Sequence, residues 1–259
     1  MEPDIKNIHS AATAYARAAD DYVRGRPGYP AALAGWLRDS LGIHEDTTVL
    51  DLGAGTGKFT ALLARTGARV VAVEPVREMR DRLSETLPGV DARAGSAQAI
   101  PLPDASVDAV TCAQSFHWFA TQEALAEIDR VLKPDGRLGL IWNVRADRIA
   151  WVAALDQIVN RAEGEAPRYR SGKWREAFSS DRFGPLHEQR FSHAHRGRPQ
   201  DVILGRALST SFIAGLDPAA RQKISEDIMQ LMASVPELNG TQEVTVPYET
   251  AAYYTVKQR

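Results

Sequence analysis

The sequence predicts a doubly wound α/β domain built on a parallel sheet. Five short apolar segments between residues 47 and 143 are predicted as strands: 49–52, 70–74, 90–94, 107–113 and 137–142. Helical segments lie among them at 58–65, 77–87 and 122–132. Continuous apolar strands that alternate with helices are typical of a parallel sheet covered on both faces, and right-handed crossovers then place helices on both sides.

The regions on either side of this alternating core follow a different rhythm. Two helices are predicted before it, from Ser10 to Val23 and from Pro30 to Leu41. After Asn143 we predict helices at 149–162, 199–208 and 218–235, and strands at 186–193 and 244–256. The stretch from Gly164 to Gly184 is irregular and rich in Arg, Lys and aromatic residues. Because long loops in compact domains tend to be functional, this stretch is predicted to form a mobile cap.

Composition disfavours several classes of protein. The 259 residues are 44% hydrophobic and 25% charged, an ordinary globular balance, and the net charge of −2 gives no electrostatic case for binding nucleic acid or an anionic membrane. Cys112 is the single cysteine, so an internal disulfide is excluded. His187, His193 and His195 lack a supporting carboxylate pattern, so no metal site is predicted. Since no signal-peptide or membrane-span pattern is visible, we expect a soluble cytoplasmic protein.

A glycine-rich turn carries the sharpest functional signal. The segment from Asp51 to Gly57, Asp-Leu-Gly-Ala-Gly-Thr-Gly, follows the first strand and opens a helix. Glycines there let the backbone turn tightly and approach a ligand where a Cβ would clash. Glu74 ends the second strand, where an acid can accept hydrogen bonds from both ribose hydroxyls. Lys58 stands where a dinucleotide fingerprint or a Walker loop needs a further glycine, so the turn fits a nucleoside with an amino-acid tail.

These motifs resemble those of class I S-adenosylmethionine-dependent methyltransferases. The match covers about residues 45–145 and rests on four segments: Val49 to Thr60 (motif I), Val73 to Pro75, Gly95 to Asp108 (motif II) and Arg130 to Gly136. The resemblance implies a doubly wound, seven-stranded, mostly parallel sheet whose last strand is antiparallel, with S-adenosylmethionine as methyl donor and S-adenosylhomocysteine as product. We therefore predict one domain with four parts: N-terminal helices (1–44), a cofactor-binding core (45–145), a cap and substrate-side region (146–240) and the final strand (241–259).

The resemblance also implies a set of cofactor-binding residues. They are Arg26, Gly53, Ala54, Gly55, Thr56, Glu74, Pro75, Met79, Ser96, Ala97, Gln114 and Ser115. Glu74 would hold the ribose, and Pro75 and Met79 would flank the adenine. Many members have aspartate at the position of Ser96, and a neutral acceptor should bind the adenine amino group more weakly. Arg26 either reaches the cofactor carboxylate or is a solvated residue of a turn.

The acceptor is expected beside the cofactor, beyond the carboxyl ends of the strands. His117 follows the fourth strand and is either a general base, since imidazole titrates near neutral pH, or a wall residue packed by Trp118. The predicted substrate-binding residues are Phe116, Trp118, Trp142, Arg145 and Trp174. Trp118 is either core filler or a ring that stacks on the substrate. A set of cations either clamps an acidic substrate or forms an exposed face: Arg145, Arg168, Arg170, Lys173 and Arg175.

These features predict methyl transfer to a small molecule, with an oxygen acceptor (carboxyl or hydroxyl) favoured over nitrogen or carbon. The His-Trp pair at 117–118 and Arg-Pro-Gly-Tyr-Pro at 26–30 resemble, more loosely, trans-aconitate methyltransferases and related small-molecule enzymes. Two alternatives stay open: a dinucleotide-dependent oxidoreductase, and a non-catalytic S-adenosylmethionine-binding module that recruits a protein through residues 164–240. We expect a monomer or homodimer without a nucleic-acid or membrane partner.

Overall fold

Seven strands form one sheet, and its topology confirms the predicted fold class. The computed structural model describes residues 26–164 and 166–258, and the helix predicted from Ser10 to Val23 lies outside them. The strands are β1 Thr48–Leu52, β2 Arg69–Val73, β3 Asp91–Arg93, β4 Val107–Ala113, β5 Leu132–Arg145, β6 His187–Gly197 and β7 Val244–Val256. Their order is β3-β2-β1-β4-β5-β7-β6. The pairs from β3 to β5 are parallel, whereas β7 is antiparallel to both β5 and β6.

The helices fall close to the predicted positions. They are α1 Leu33–Leu41, α2 Thr60–Ala64, α3 Arg77–Thr86, α4 Gln122–Val131, α5 Ala150–Asn160, α6 Arg206–Leu208, α7 Ser211–Ala214 and α8 Pro218–Ser234. Helix α1 ends at Gly42, whose φ of +66° lets its N–H donate to the Arg38 carbonyl. The predicted helix at 199–208 begins as a π-helix, Gln200–Gly205, before α6. Within the described residues, no helix combines the length and apolarity that a membrane crossing requires.

Alternate strand residues point to opposite faces of the sheet and build a core on each face. Leu50 and Trp142 belong to the face covered by α4 and by a 3₁₀-helix, Lys173–Phe178. Their neighbours Val49 and Ile141 belong to the opposite face, which α1 and α2 cover. A third cluster packs α5 against α8. Because both faces are covered, ligands are left with the carboxyl edge of the parallel strands.

The arginine-rich stretch after Gly164 is more regular than the sequence suggests. Its described part contains two 3₁₀-helices, Tyr169–Ser171 and Lys173–Phe178. Trp174 is 2% exposed, and its indole N–H donates to the Tyr169 carbonyl at 3.2 Å. The Gln122 amide donates to the Ala177 carbonyl at 2.6 Å, which ties the stretch to α4. The stretch therefore packs as a wall of the core, and its predicted closure over the site stays a prediction.

Candidate active site

A cavity opens at the carboxyl ends of β1, β2 and β4. All twelve residues predicted to bind the cofactor line it, and it is called the cofactor cavity after that prediction: Arg26, Gly53, Ala54, Gly55, Thr56, Glu74, Pro75, Met79, Ser96, Ala97, Gln114 and Ser115. Strand order explains the convergence, because β1 lies between β2 and β4 and the three strands end at the same edge. Residues far apart in the chain thus meet around one space, as the sequence motifs predict.

Three glycines shape the turn after β1, two of them for close packing and one beside open space. Gly53, Gly55 and Gly57 all have positive φ (+71°, +58° and +85°), the region that glycine adopts without strain. A Cβ on Gly53 would lie 2.7 Å from the Ser115 Cβ, and one on Gly57 would lie 2.9 Å from the Leu83 Cγ. A Cβ on Gly55 would have no protein atom nearer than 4.0 Å. Gly53 and Gly57 therefore allow close packing, whereas Gly55 keeps the lining of the cavity free of a side chain.

Glu74 is a buried acid that faces the cavity. It is 5% exposed, and burial raises the pKa of its carboxyl. Its Oε2 accepts from the Gly55 N–H at 2.8 Å and its Oε1 from the Val76 N–H at 2.9 Å. A carboxylate has about four acceptor positions, so two remain after these bonds. The turn thus fixes the orientation of Glu74 and leaves it able to accept from a diol.

Asp51 is a second buried acid beside the same turn, and sequence reasoning gave it no role beyond the motif. It is 1% exposed, and burial raises the pKa of its carboxyl to about 7. The Thr60 hydroxyl donates to its Oδ2 at 2.6 Å. The side chain therefore links the end of β1 to the start of α2 and stabilises the turn between them.

Gln114 and Ser115 directly follow β4, and they differ in backbone conformation and in hydrogen bonding. Gln114 has a φ of +61°, which is strained for a residue with a side chain, and its N–H donates to the Ile141 carbonyl at 2.8 Å. The Ser115 hydroxyl donates to the Leu52 carbonyl at 2.8 Å and so joins β4 to β1. Ser115 thus contributes packing and a strand contact at the cavity wall. Gln114, with its unusual backbone conformation, lines both this cavity and the second cavity described below.

A second cavity adjoins the first on the side of β5. The two share five lining residues: Arg26, Gln114, Trp118, Asn143 and Arg206. Of the residues predicted to act on or bind the acceptor, four line this second cavity: His117, Trp118, Trp142 and Arg145. The sheet order accounts for its position, because β4 and β5 are neighbours and both end here. A small acceptor would therefore lie next to the cofactor cavity.

His117 is held as a neutral hydrogen-bond donor. Its Nδ1 accepts from the Trp142 indole at 3.0 Å, and an indole N–H can only donate. The ring proton of neutral His117 must then lie on Nε2. Burial, followed by the charges of Arg168 and Arg26, lowers the pKa of His117 to about 3. A ring with its proton on Nε2 and so low a pKa is poorly suited to act as a general base, the first of the two roles that the sequence leaves open for His117.

The second cavity is strongly cationic. Five arginines line it: Arg26, Arg145, Arg168, Arg170 and Arg206. Among the described lining residues Asp156 is the single carboxylate, and it is shared by two of these arginines. Its Oδ1 accepts from the Arg145 Nε at 2.6 Å, and its Oδ2 lies 2.5 Å from the Arg170 Nη2. Among the described lining residues, arginines therefore outnumber carboxylates, and Arg168 and Arg170 also approach Glu163 and Asp147 outside the lining, at 3.5 Å and 3.6 Å.

Comparison with known proteins identifies the family. A family model described as a methyltransferase domain matches residues 50–140. An uncharacterized methyltransferase-like protein of Schizosaccharomyces pombe is 40% identical over 92% of this chain and 93% of its own length. The chain belongs to the class I S-adenosylmethionine-dependent methyltransferases.

Further relatives agree with this assignment of the methyltransferase. An uncharacterized methyltransferase of Mycobacterium tuberculosis is 37% identical over 91% of this chain and 92% of its own length. A solved structure from Anaeromyxobacter dehalogenans, described as a candidate type II methyltransferase, shares the fold with a TM-score of 0.62. The two are 23% identical, and the match covers 90% of this chain and 97% of the other. The oxidoreductase and the non-catalytic module are not favoured by these relatives.

Two predicted substrate-binding residues of the methyltransferase lie in the core instead of the second cavity. Phe116 is fully buried and Trp174 is 2% exposed, with their ring centroids 6.3 Å apart. Residues 116–118 form a single 3₁₀ turn, in which successive side chains point about 120° apart. Phe116 therefore points into the core while His117 and Trp118 face the cavities. Direct contact of Phe116 or Trp174 with an acceptor is not supported.

The residues that line the cofactor cavity without having been assigned from the sequence include Lys58, Asn143 and Arg206. Lys58 was considered only as the position where a glycine is missing. The Asn143 amide donates to the Gly28 carbonyl at 2.7 Å, and its oxygen accepts from the Thr250 hydroxyl at 2.6 Å. Position 143 at the end of a predicted strand was a signal for this residue, because strand ends line ligand sites. No local motif points to Arg206. Within the described part of the chain, no cluster of three or more potential metal ligands occurs.

Proposed function

We propose that this methyltransferase transfers a methyl group to a carboxylate oxygen of a small anionic molecule. The observation that carries the proposal is the cationic second cavity, with five arginines around one shared carboxylate. Guanidinium groups pair well with carboxylates, often through two parallel hydrogen bonds. An acceptor with a negative charge would therefore be bound and oriented at the wall next to the cofactor.

The cofactor cavity fits S-adenosylmethionine. Glu74 retains acceptor positions for the ribose hydroxyls, and Gly55 leaves room where a Cβ would intrude. When bound, S-adenosylmethionine supplies an electrophilic methyl group on a sulfonium. The residues of this chain bind the nucleoside, orient the acceptor and exclude water, and holding a nucleophile in position accounts for much of such catalysis.

The state of His117 favours a carboxylate over a hydroxyl or an amine. A carboxylate is ionised at neutral pH and loses no proton when it is methylated, so it needs no base. Because Nδ1 of His117 accepts the bond from Trp142, the ring proton lies on Nε2. The Nε2–H can instead donate a hydrogen bond to an oxygen of the methyl acceptor. His117 would thus be a wall residue of the cavity that also orients the methyl acceptor through a hydrogen bond.

The remaining wall of the second cavity suits an organic body. Tryptophan, tyrosine and phenylalanine side chains at five positions line it beside the arginines: Trp118, Trp142, Tyr169, Phe212 and Tyr248. Small-molecule sites usually combine apolar surface with a few polar groups that fix orientation. A carboxylic acid with a compact apolar part matches both properties, whereas a highly hydrated inorganic anion matches only one.

The test is transfer of a labelled methyl group to a pool of small carboxylic acids, alcohols and amines. A methyl ester releases volatile labelled methanol in alkali, whereas a methyl ether or a methylamine keeps its label. We expect alkali-labile label, which decreases in Arg145→Gln. The matched control is Arg148→Gln, because Arg148 is 64% exposed and does not line the second cavity.

Each other outcome would redirect the proposal. Label that is stable in alkali would indicate a hydroxyl or amine acceptor and contradict the carboxylate assignment. Intact binding of S-adenosylhomocysteine without any transfer would favour the non-catalytic module.

Cytoplasmic location, a monomeric or dimeric state and the absence of nucleic-acid partners stay predictions from the sequence.

A further inference from the structure

Arg206 occupies an unusual position between the two cavities. It lies 66 residues beyond the end of the family match at 140, yet it lines both the cofactor cavity and the second cavity. Its Nη1 donates to the Thr210 hydroxyl at 3.2 Å. The segment that carries it, from Gln200 to Phe212, also supplies Thr210, Ser211 and Phe212 to the second cavity. Arg206 is thus one of the five residues that line both cavities, and it links them to the acceptor-side segment 200–212.

A π-helix directs Arg206 toward this junction. The six residues Gln200–Gly205 wind as a π-helix immediately before α6. One extra residue in a helical turn rotates the side chains that follow by about 100° relative to a continuous α-helix. A Cβ on Gly205 would lie 3.2 Å from the Gln200 carbonyl oxygen, a tight contact that glycine avoids. π-Helical turns are rare and frequently occur at functional sites.

The cofactor cavity has opposite charges at its two ends. Glu74 follows β2, whereas Gln114 follows β4, two strand spacings or roughly 10 Å away. The cations lie toward the second cavity, because Arg26 and Arg206 line both cavities, as Gln114 does, and the Lys58 ammonium donates to the Arg26 carbonyl at 2.6 Å. Burial and the charges of Arg26 and Arg206 lower the pKa of Lys58 to about 8, which is consistent with the three groups lying close together.

This polarity matches the two ends of the cofactor. The ribose of S-adenosylmethionine presents hydroxyl donors, which suit Glu74, and its amino-acid tail ends in a carboxylate, which needs cations. We propose that Arg206 binds the carboxylate of this tail and thereby fixes the acceptor-side segment 200–212 when the cofactor is bound. The inference rests on the cofactor part of the proposed function and is independent of the acceptor.

The first test compares two ligands that differ in the tail. S-adenosylhomocysteine carries the amino-acid carboxylate, and 5′-methylthioadenosine lacks it. In Arg206→Gln we expect calorimetry to give an affinity for S-adenosylhomocysteine reduced roughly tenfold or more, the scale of a lost charged hydrogen bond, with the affinity for 5′-methylthioadenosine unchanged. The matched control is Arg221→Gln, at an exposed position of α8. Arg206→Lys keeps the charge and serves if the first variant does not fold.

The second test is hydrogen exchange of the backbone amides in 200–212. S-adenosylhomocysteine should slow this exchange in the native protein more than 5′-methylthioadenosine does, and the difference should vanish in Arg206→Gln. If a folded Arg206→Gln variant lost affinity equally for both ligands, the role of Arg206 would be structural. If its affinity for S-adenosylhomocysteine were unchanged, Arg206 would serve the acceptor alone. Either result overturns the inference. If the native protein binds neither ligand, the cofactor assignment itself fails.

Discussion

The two cavities of this methyltransferase are built by different means. Backbone dominates the cofactor cavity, which uses the glycine turn at 53–57 and the ends of neighbouring strands. Side chains dominate the second cavity, and they come from seven separate places in the chain: Arg26, 114–118, 142–145, Asp156, 168–170, 206–212 and Tyr248. A short local motif can specify the first type of site. The second type exists only after distant segments have packed, so its electrostatics depend on tertiary contacts such as that between Arg145 and Asp156.

The largest expected effect concerns the second cavity. The side chains of Arg145 and Asp156 are 9% and 7% exposed, so Asp156→Ala leaves a buried guanidinium without its carboxylate. We expect the free energy of unfolding in urea to fall by about 3–5 kcal/mol, with little change in affinity for S-adenosylhomocysteine. Asp147→Ala is the control, because Asp147 is 65% exposed and its removal should cost at most about 1 kcal/mol. Equal losses in the two variants would contradict a structural ion pair at the second cavity.

The cofactor cavity should respond to pH through Asp51. Its pKa rises from 3.8 to about 7 on burial, so the folded protein keeps a proton that the unfolded chain has released. The free energy of unfolding should therefore fall as pH rises from about 4 to about 7, by at most about 4 kcal/mol. Glu74, whose pKa burial also raises, acts in the same direction.

Urea denaturation between pH 4 and pH 8 measures this slope. Asp51→Asn should remove much of the dependence of the free energy of unfolding on pH, because an amide does not titrate. Asp181→Asn, at an exposed position, should leave the slope as it is. Stability that rises with pH over the same range in the native protein, and not in Asp51→Asn, would reverse the assigned direction.

Cofactor affinity should depend on Glu74 more than on any exposed acid nearby. Glu74→Gln removes a charged acceptor and turns an amide group toward the N–H of Gly55 or Val76. Calorimetry should show weaker binding of S-adenosylhomocysteine by about 1.5–3 kcal/mol. Glu78→Gln, at an exposed position in the first turn of α3, is the matched control. Unchanged affinity in a folded Glu74→Gln variant would remove the ribose assignment.

The last prediction, with the smallest expected change, is that His117 does not titrate near neutral pH. Nitrogen NMR of labelled histidine should show this ring neutral, with its proton on Nε2, from pH 8 down to about pH 5, because its pKa is lowered to about 3. Trp142→Phe removes the indole donor and should change the tautomer of His117 without changing the fold. A His117 signal that titrates near pH 6.5 would restore the general base that the sequence left open.

Much of the cofactor site was accessible from the sequence. The twelve predicted residues converge because strand periodicity and the glycine spacing are local properties, and parallel strands necessarily end at one edge. The core positions of Phe116 and Trp174 were not accessible. An aromatic residue in an irregular stretch fits the core or a ligand equally well, and a single 3₁₀ turn decides which way Phe116 points.

The sequence by itself determined the doubly wound sheet, the cofactor turn and the acid at the end of β2, through apolar periodicity, through backbone conformations that only glycine adopts freely and through the position of Glu74 after a strand. The antiparallel last strand was implied by the resemblance to the family. Only the tertiary structure decided the protonation of His117, the pairing of Arg145 with Asp156 and the place of Arg206 between the cavities. Each of these depends on burial or on a contact between residues distant in the chain, and a linear pattern does not encode the dielectric surroundings or the partner of a side chain.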